Sequence, residues 1–441
     1  MSVPRFLVLV AALAVLVVGP MAQAGVWTQI QQVTGDVVNN SDDFGKALYM
    51  AGDYAVVGAD DYNGKDGAIF IYHLSGGTWT QQASFLETAG NAYLGRAVGM
   101  SEDYAIAGAP QDASGGYAKL YSRSGTAWSY AQTLTGSDTA ADDKFGQSVS
   151  VSGDYALVGA QLADLDGTAD AGAAYIYHQS GGTWTQVQKL VAADAGPADF
   201  FGCSVVIKGD YAAIGAYSWD NAAGAQNEGA VYLYKIDANG TYNYQTTLTA
   251  TSATASSSLG ISVDMDGDYI ISGSYQYDPP GGGHYAGGAT IWHLGADGTW
   301  DELPRLTAFD GEDTPVAGDK FGTSVAVSGG YAVVGSPYFD ADGTADTGAV
   351  YMYELSANGT WTFLEKLVPS EVNASDMFGW GVGVSGWYAF GGASGYDYTG
   401  QADQGAAFIF ENSLIPEPTA LLAVGAGIAA FVGVRKRRRL Q

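Results

Sequence analysis

The sequence predicts an all-β fold: a seven-bladed β-propeller of four-stranded antiparallel blades, closed into a ring by the N-terminal strand. Three observations predict it. One motif recurs seven times at intervals of 50 to 62 residues. Each interval contains four short segments of β-type composition, and no stretch of the body keeps the 3.6-residue period of an amphipathic helix.

Three positions define the repeat. Each copy begins with an aromatic residue or Leu followed by Gly, has a Tyr ten residues later and a Gly four residues after that Tyr. The starting pairs are Phe44-Gly45, Leu94-Gly95, Phe145-Gly146, Phe201-Gly202, Leu259-Gly260, Phe321-Gly322 and Phe378-Gly379. The later positions are Tyr54, Tyr104, Tyr155, Tyr211, Tyr269, Tyr331 and Tyr388, then Gly58, Gly108, Gly159, Gly215, Gly273, Gly335 and Gly392. Seven copies at fixed offsets indicate a repeat architecture.

The third copy shows how a repeat divides into strands. Ser148–Ser152 alternates in polarity, the next two residues suit a tight hairpin turn, and Tyr155–Gly159 returns as a β-rich run. After a loop, Gly172–Tyr177 is the third strand and Trp184–Leu190 the fourth. Four strands in a repeat of this length are typical of a propeller blade.

The fourth strand begins with an aromatic residue, but only six copies contain one. The six residues are Trp79, Trp128, Trp184, Tyr242, Trp300 and Trp361. The last copy ends after Phe410, whereas Trp27–Gln31 near the other end of the chain matches Trp184–Gln188. We therefore expect the N-terminal strand to complete the last blade and to close the ring, which removes exposed strand edges.

The motif resembles the FG-GAP repeat of integrin α-chain propellers and many bacterial surface proteins. Gly108-Ala109-Pro110 has the full second half of that motif, Gly335-Ser336-Pro337 nearly does, and the other copies keep Gly-Ala or Gly-Ser. The resemblance implies a seven-bladed propeller over residues 25–414 that is used for binding and not for catalysis.

The N-terminus has the pattern of a secretory signal. Arg5 gives a basic start, Phe6–Val18 is apolar, and Ala22-Gln23-Ala24 is a small-x-small cleavage site. The alternative is a permanent anchor, but the apolar run is shorter than the roughly 20 residues that a membrane span needs. Residues 1–24 are therefore predicted to be a cleaved signal peptide.

The C-terminal segment 415–441 contains Pro416, Glu417 and Pro418, then the apolar run Thr419–Val434 and a cluster of basic residues. Basic residues that flank a membrane segment favour the cytoplasmic side, so this cluster is predicted to stay in the cytoplasm and the acidic body to lie outside the membrane. This order resembles the PEP-CTERM sorting signal of Gram-negative bacteria. The resemblance implies transient anchoring in the inner membrane by a transmembrane helix, processing by a sorting protease of the exosortase type, and delivery to the outer surface or extracellular matrix. The alternative is a plain C-terminal anchor.

Acidic residues dominate the chain. There are 46 Asp and Glu against 18 Lys and Arg, which gives a formal charge of −28. This balance disfavours nucleic acid and anionic lipid as partners of the body. In a propeller, the loops between strands 2 and 3 share one face with the connections between blades, and in this sequence those segments contain 30 acidic residues. Variable loops on a rigid scaffold are where binding sites are usually built, so an acidic binding face is predicted.

A motif of the form Asp-x-Asp-Gly-x-x-Asp occurs twice in the loops between strands 2 and 3. Its acidic residues are Asp164, Asp166 and Asp170 in one copy and Asp340, Asp342 and Asp346 in the other. Alternating short carboxylates with a Gly suit a Ca²⁺ ion. The alternative is that Asp and Gly only make soluble turns. In FG-GAP proteins the calcium loops lie between strands 1 and 2, where this chain has two-residue turns, so the family's ligands cannot be assigned here.

The residues offer little for catalysis, and the chain is predicted not to be an enzyme. His73, His178 and His293 occupy one repeated position, and the single Cys203 lies in a predicted inner strand. Aromatic residues in or beside the acidic loops could stack on sugars or clasp a basic group, or could cover the rim of the core; they are Trp219, Tyr277, Tyr338 and Tyr396. The sequence thus predicts a non-catalytic binding or adhesion protein that engages exopolysaccharide or a cell-surface protein. A purely structural matrix component and a glycan-cleaving enzyme are the alternatives.

Overall fold

A computed structural model describes residues 27–413 except 89, 222–225, 252–254, 309–315, 399 and 401. Within that part of the chain, 28 strands form seven four-stranded antiparallel sheets. The predicted seven-bladed β-propeller is therefore confirmed. The predicted signal peptide (1–24) and sorting segment (415–441) lie outside the described residues.

The strands are numbered in chain order, and each blade takes four of them. The first three blades contain β2 (Ala47–Ala51), β3 (Tyr54–Ala59), β4 (Ala68–Ser75), β5 (Thr78–Leu86); β6 (Ala97–Met100), β7 (Tyr104–Ala109), β8 (Tyr117–Ser124), β9 (Ala127–Leu134); and β10 (Phe145–Ser152), β11 (Tyr155–Ala160), β12 (Ala173–Ser180), β13 (Thr183–Leu190). The next three contain β14 (Val205–Lys208), β15 (Tyr211–Ala216), β16 (Ala230–Ile236), β17 (Tyr242–Leu248); β18 (Val263–Asp266), β19 (Tyr269–Ser274), β20 (Gly288–Leu294), β21 (Trp300–Glu302); and β22 (Ser324–Ser328), β23 (Tyr331–Ser336), β24 (Ala349–Leu355), β25 (Trp361–Leu367). The seventh contains β26 (Phe378–Ser385), β27 (Tyr388–Ala393), β28 (Ala406–Asn412) and β1 (Trp27–Val33).

Helix is almost absent from the described ranges. The four-residue segment α1 (Tyr62–Lys65) contains Asn63 and Gly64 in left-handed backbone conformations, so it is a turn of the loop between β3 and β4.

The N-terminal strand closes the ring as the sequence predicted. β1 pairs antiparallel with β28, from Trp27 opposite Asn412 to Val33 opposite Ala407. The backbone N–H of Trp27 also donates to Glu365 Oε2 of the sixth blade at 2.9 Å. At the other interface, the Gln31 side chain donates to the Trp79 carbonyl of the first blade and accepts its N–H. β1 therefore contacts the blades on both sides.

Neighbouring blades meet through bare backbone at the motif glycines. A methyl group built at Gly108 would lie 1.9 Å from the carbonyl oxygen of Gly146 in the next blade. The other six interfaces repeat this approach at 1.9 to 2.1 Å, the last between Gly392 and Gly45. Gly146 itself has a φ of 91°, a conformation that favours glycine. Both glycines of the motif are thus explained by one contact.

The residue that precedes the first glycine fills the space beside this contact. Phe145 is fully buried and lies 5.4 Å from Tyr175 of its own blade, between ring centroids. Its backbone forms a parallel bridge to Gly116 of the preceding blade. Equivalent bridges occur at all seven interfaces.

The motif tyrosine explains why the fourth strand begins with an aromatic residue. Tyr104 packs edge-on against Trp184 of the next blade, with ring centroids 5.1 Å apart. The same contact recurs around the ring in Tyr54–Trp128, Tyr155–Tyr242, Tyr211–Trp300, Tyr269–Trp361, Tyr331–Trp27 and Tyr388–Trp79. Trp27 takes its place in this series, which is why the N-terminal strand fits the seventh blade.

The glycine contact predicts a large cost for a single methyl group. In Gly108→Ala, the new Cβ must push the backbone of the next blade away, and we expect the free energy of unfolding to fall by about 3 kcal/mol. Chemical denaturation measures it. The control is Gly181→Asn in an open turn, where φ is 60° and no atom lies within 4 Å of a new Cβ. Equal stabilities of Gly108→Ala and the control would contradict the proposed role of the contact.

Candidate functional site

The loops between strands 2 and 3 and the connections between blades form one continuous surface. Backbone hydrogen bonds join each loop to the connection that leads into the next blade. Examples are Ala198 N–H to the Ala169 carbonyl (3.0 Å) and Ser375 N–H to the Ala345 carbonyl (3.0 Å). The segments in which the sequence concentrates acidic residues therefore meet on one face of the ring, which we call the acidic face.

The two predicted Asp-x-Asp-Gly-x-x-Asp loops share one conformation. In each, the first carboxylate accepts the backbone N–H of the last Asp, from Asp170 to Asp164 at 3.0 Å and from Asp346 to Asp340 at 2.8 Å. The second Asp of each loop has a left-handed backbone, with φ of 47° at Asp166 and 51° at Asp342. The first Asp therefore stabilises the turn of its own loop.

Three further blades use an Asp in the same way, which the sequence analysis missed. Asp220 accepts the N–H of Asn227, Asp278 that of Tyr285 and Asp397 that of Asp403, at 2.7 to 2.9 Å. The signal was present in the sequence, since all five acceptors lie five residues after the second motif glycine. Loops of different length and composition after that position concealed it.

A second acidic position, also missed, lies two residues before the motif Phe. Its members are largely buried: Asp42, Asp143, Asp199, Asp319 and Asp376. Asp199 accepts the backbone N–H of Gly196 at 2.6 Å, and Asp376 that of Asn373 at 2.5 Å. Burial, with a smaller contribution from the nearby carboxylates Asp397 and Asp403, raises the pKa of Asp376 to about 6. The acidic face thus has a buried layer of carboxyl groups beneath its exposed loops.

The predicted calcium ligands do not converge in these loops. Among the described residues, the acidic side chains that bring three oxygens within 4.8 Å of one another are Asp43, Asp60 and Asp61 in the first blade. Cations of the chain already lie there, because Lys46 Nζ is 2.6 Å from Asp43 and Arg96 is 3.1 Å from Asp60. We interpret this group as an ion-pair cluster. Calcium binding by the two Asp loops stays a prediction.

The four predicted aromatic residues differ in exposure. Tyr277 is buried beneath the Arg305 guanidinium, which lies 4.0 Å from its ring centroid, and Tyr396 is buried against Phe408. These two rings cover the rim of the core and are not exposed for contact with a sugar or a basic group.

The other two aromatic residues are half-buried and reach the surface of the acidic face. Trp219 donates from its indole N–H to Asp194 at 3.2 Å. Tyr338 lies beneath Lys320, with Nζ 4.0 Å from the ring centroid, and 5.9 Å from the Trp380 ring. The indole N–H of Trp219 and one face of Tyr338 therefore already have partners within the chain.

A groove of about 640 Å³ runs along the acidic face beside the second Asp loop. One wall is the loop itself, with Asp340, Asp342 and Thr344, and the other includes Val368 and Val372 from the connection to the seventh blade. Its floor includes Phe339, over which Lys366 Nζ lies at 4.5 Å from the ring centroid. This size and the mixture of apolar and polar walls are typical of a small-ligand site.

The histidines and the cysteine are held in structural contacts. His73, His178 and His293 pack on the motif tyrosines Tyr54, Tyr155 and Tyr269, with ring centroids 4.4 to 4.7 Å apart. Cys203 is buried, and burial raises the pKa of its thiol to about 12, far from the range of a reactive thiolate. His284 contacts Asp278 at 2.9 Å in an exposed loop.

These features define a class of protein: a seven-bladed β-propeller with an acidic loop face. A family model described as FG-GAP repeat matches residues 128–177, 184–234, 300–353 and 361–410. The chain therefore carries FG-GAP repeats in these four stretches. Each match begins at the fourth strand of one blade and ends with the third strand of the next, so the sequence unit is offset by one strand from the blade. No curated protein gives a significant match.

No helix within the described ranges has the length and apolar character needed to cross a membrane. The predicted transmembrane segment, Thr419–Val434, lies outside those ranges.

The buried carboxyl layer predicts that the protein becomes more stable as the pH falls. Asp376 has a pKa of about 6 when folded, above its ordinary value of 3.8, so the folded state holds the proton more tightly between these values. We expect the melting temperature to be higher at pH 5 than at pH 7.5.

Asp376→Asn should reduce this difference by about 2 °C, because the amide still accepts the Asn373 N–H but does not titrate. Part of the dependence should remain, because burial also raises the pKa of Asp42, Asp143 and Asp199. The control is Asp142→Asn, whose side chain is 92% exposed. Equal pH dependence in wild type and Asp376→Asn would refute this assignment.

Proposed function

We propose that the protein is a non-catalytic binding protein of the bacterial outer surface or extracellular matrix, and that it binds a polysaccharide in the groove beside Asp340. Export follows from the predicted signal peptide, and surface delivery from the predicted sorting segment with Pro416, Glu417 and Pro418. A sorting protease of the exosortase type would act on that segment.

The groove is the observation on which this proposal depends. Asp340 and Asp342 offer carboxylates, Thr344 a hydroxyl and Ser370 a second hydroxyl, while Val368 and Val372 supply apolar surface. Sugars present this same combination, since each ring has hydroxyl groups around its edge and C–H bonds on its faces. The backbone bonds of the loop hold these groups in place before a ligand arrives, which lowers the entropic cost of binding.

The charge of the acidic face limits which polysaccharides could bind in the groove. Asp340 and Asp342 line the groove together with one cation, Lys366, and the rest of the acidic face is rich in carboxylates, so a chain rich in carboxylate or sulfate groups would be repelled. Neutral polymers and polymers with free amino groups avoid this repulsion. We therefore propose a neutral or amino-sugar exopolysaccharide as the ligand.

Blocking the groove tests the proposal. Thr344 is exposed at the groove wall, and Thr344→Trp should fill the groove and weaken glycan binding at least about tenfold without unfolding the loop. A glycan array followed by calorimetry with the selected glycan, each with and without Ca²⁺, measures binding. The matched control is Thr168→Trp, at the equivalent position of the loop in the third blade, which should bind like the wild type.

Each outcome decides between functions. Selective binding that Thr344→Trp abolishes supports the proposal, whereas silence on the array favours a structural matrix component. Equal loss in both tryptophan variants would place the ligand elsewhere. Shortening of a bound polysaccharide would establish a glycan-cleaving enzyme. Heat released on titration with Ca²⁺ alone would support calcium binding by the Asp loops.

A further inference from the structure

The central channel opens on the face opposite to the groove in a cavity of about 500 Å³. The short turns between strands 1 and 2 form its rim, with Asp103 and Asp154 among them. Met50, Met100 and Tyr104 give it an apolar wall. A narrower space of about 170 Å³ continues inward and shares Tyr49, Met50 and Lys208 with the outer cavity.

One repeated position of the inner strands is informative because it differs from blade to blade. It lies five residues after the motif Phe or Leu, and its occupants are Tyr49, Gly99, Ser150, Val206, Asp264, Ala326 and Gly383. Six of these seven side chains are uncharged. The interfaces between inner strands therefore form without a carboxylate at this position, and Asp264 is an exception that the fold does not require.

Asp264 has one carboxylate oxygen without a hydrogen-bond partner in the part of the chain that the structure describes. Its side chain is 7% exposed and lines the inner space, and Oδ2 accepts the backbone N–H of Val327 at 2.8 Å. Among the described residues, none bonds to Oδ1. Ser150 makes the corresponding contact two blades earlier, where its hydroxyl accepts the Ile207 N–H at 3.1 Å. A single hydroxyl oxygen is therefore enough to accept the N–H of the neighbouring strand, and this contact does not require the second carboxylate oxygen of Asp264.

The surroundings of Asp264 favour a cation. Lys208 lines the same space and its charge acts on Asp264, but its Nζ forms its ion pair with Asp266 Oδ1, at 2.7 Å. The rim adds Glu102, Asp103 and Asp154, of which Asp103 has Arg123 as a partner at 3.4 Å. A buried carboxylate without a full set of partners is costly, and a cation that donates hydrogen bonds would remove that cost.

We propose that the channel binds a primary ammonium group on a short aliphatic chain, with its N–H donated to Asp264 Oδ1. The chain lies between Tyr49, Met50 and Met100, which a hydrated metal ion would leave unused. A hard divalent ion requires six or more oxygen ligands, whereas an ammonium group needs only a few acceptors. A free alkylamine and the side chain of lysine both present this chemistry.

Ligand-observed NMR with n-butylammonium chloride tests the proposal on the intact propeller. The titration is made in 150 mM NaCl, which screens weak association with the acidic surface. We expect saturable binding at pH 7.5, no binding of neutral n-butanol, and at least about tenfold weaker binding of butylammonium to Asp264→Ser, which copies the Ser150 arrangement. Nα-acetyl-lysine methylamide as a second probe distinguishes the sources: tighter binding than butylammonium indicates a peptide, and weaker binding a free amine.

Two variants keep the result interpretable. Asp264→Asn retains the acceptor for the Val327 N–H, so its unaltered melting curve separates loss of binding from loss of folding. Asp142→Asn removes one charge from the exposed acidic face and should bind like the wild type. Equal affinity of butylammonium for wild type and both Asp264 variants, or no binding to the wild type, would overturn the proposal. The channel and the groove lie on opposite faces, so this result is independent of glycan binding.

Discussion

The close approach of two glycine backbones at every blade interface is the constraint on which the rest of the structure depends. Gly108 and its six equivalents leave no room for a side chain, because the carbonyl oxygen of the next blade occupies the place of a Cβ. With the blades fixed at this distance, Phe145 and its equivalents fill the space beside the contact, and Tyr104 meets Trp184 farther out. Seven nearly identical interfaces therefore stabilise the ring, and each blade contributes in the same way through its contacts with its neighbours.

The proposed binding sites lie at positions whose residues differ from one repeat to the next. The loops between strands 2 and 3 vary in length and composition, and the groove forms where the loop of the sixth blade meets an apolar connection. The inner strands also have variable positions in the channel wall, and at one of them Asp264 stands where other blades have Gly, Ala, Val, Ser or Tyr. Both proposed sites thus differ from their equivalents in the other blades, as expected when a rigid scaffold is kept and its variable positions change.

The sequence was sufficient for the blades because each of their contacts uses residues at fixed offsets from the motif. The completion of the seventh blade by Trp27 was predictable for the same reason. The sequence was not sufficient to predict that Tyr277 and Tyr396 are buried. Their burial depends on contacts with Arg305 and Phe408, which form only in the folded chain. Asp376 and its equivalents followed a regular pattern but needed the structure to show that they are buried. Asp264 needed knowledge of which side of an inner strand faces the channel.

Closure of the ring by β1 is the claim from which the count of seven complete blades follows, since the seventh has only three strands without it. Hydrogen–deuterium exchange followed by mass spectrometry tests it directly. The backbone amides of β1 should be as protected as those of β13, its equivalent in the third blade, because both strands pair with a third strand and pack against the next blade. Exchange in β1 at the rate of an unfolded chain end, with β13 protected, would contradict the closed ring.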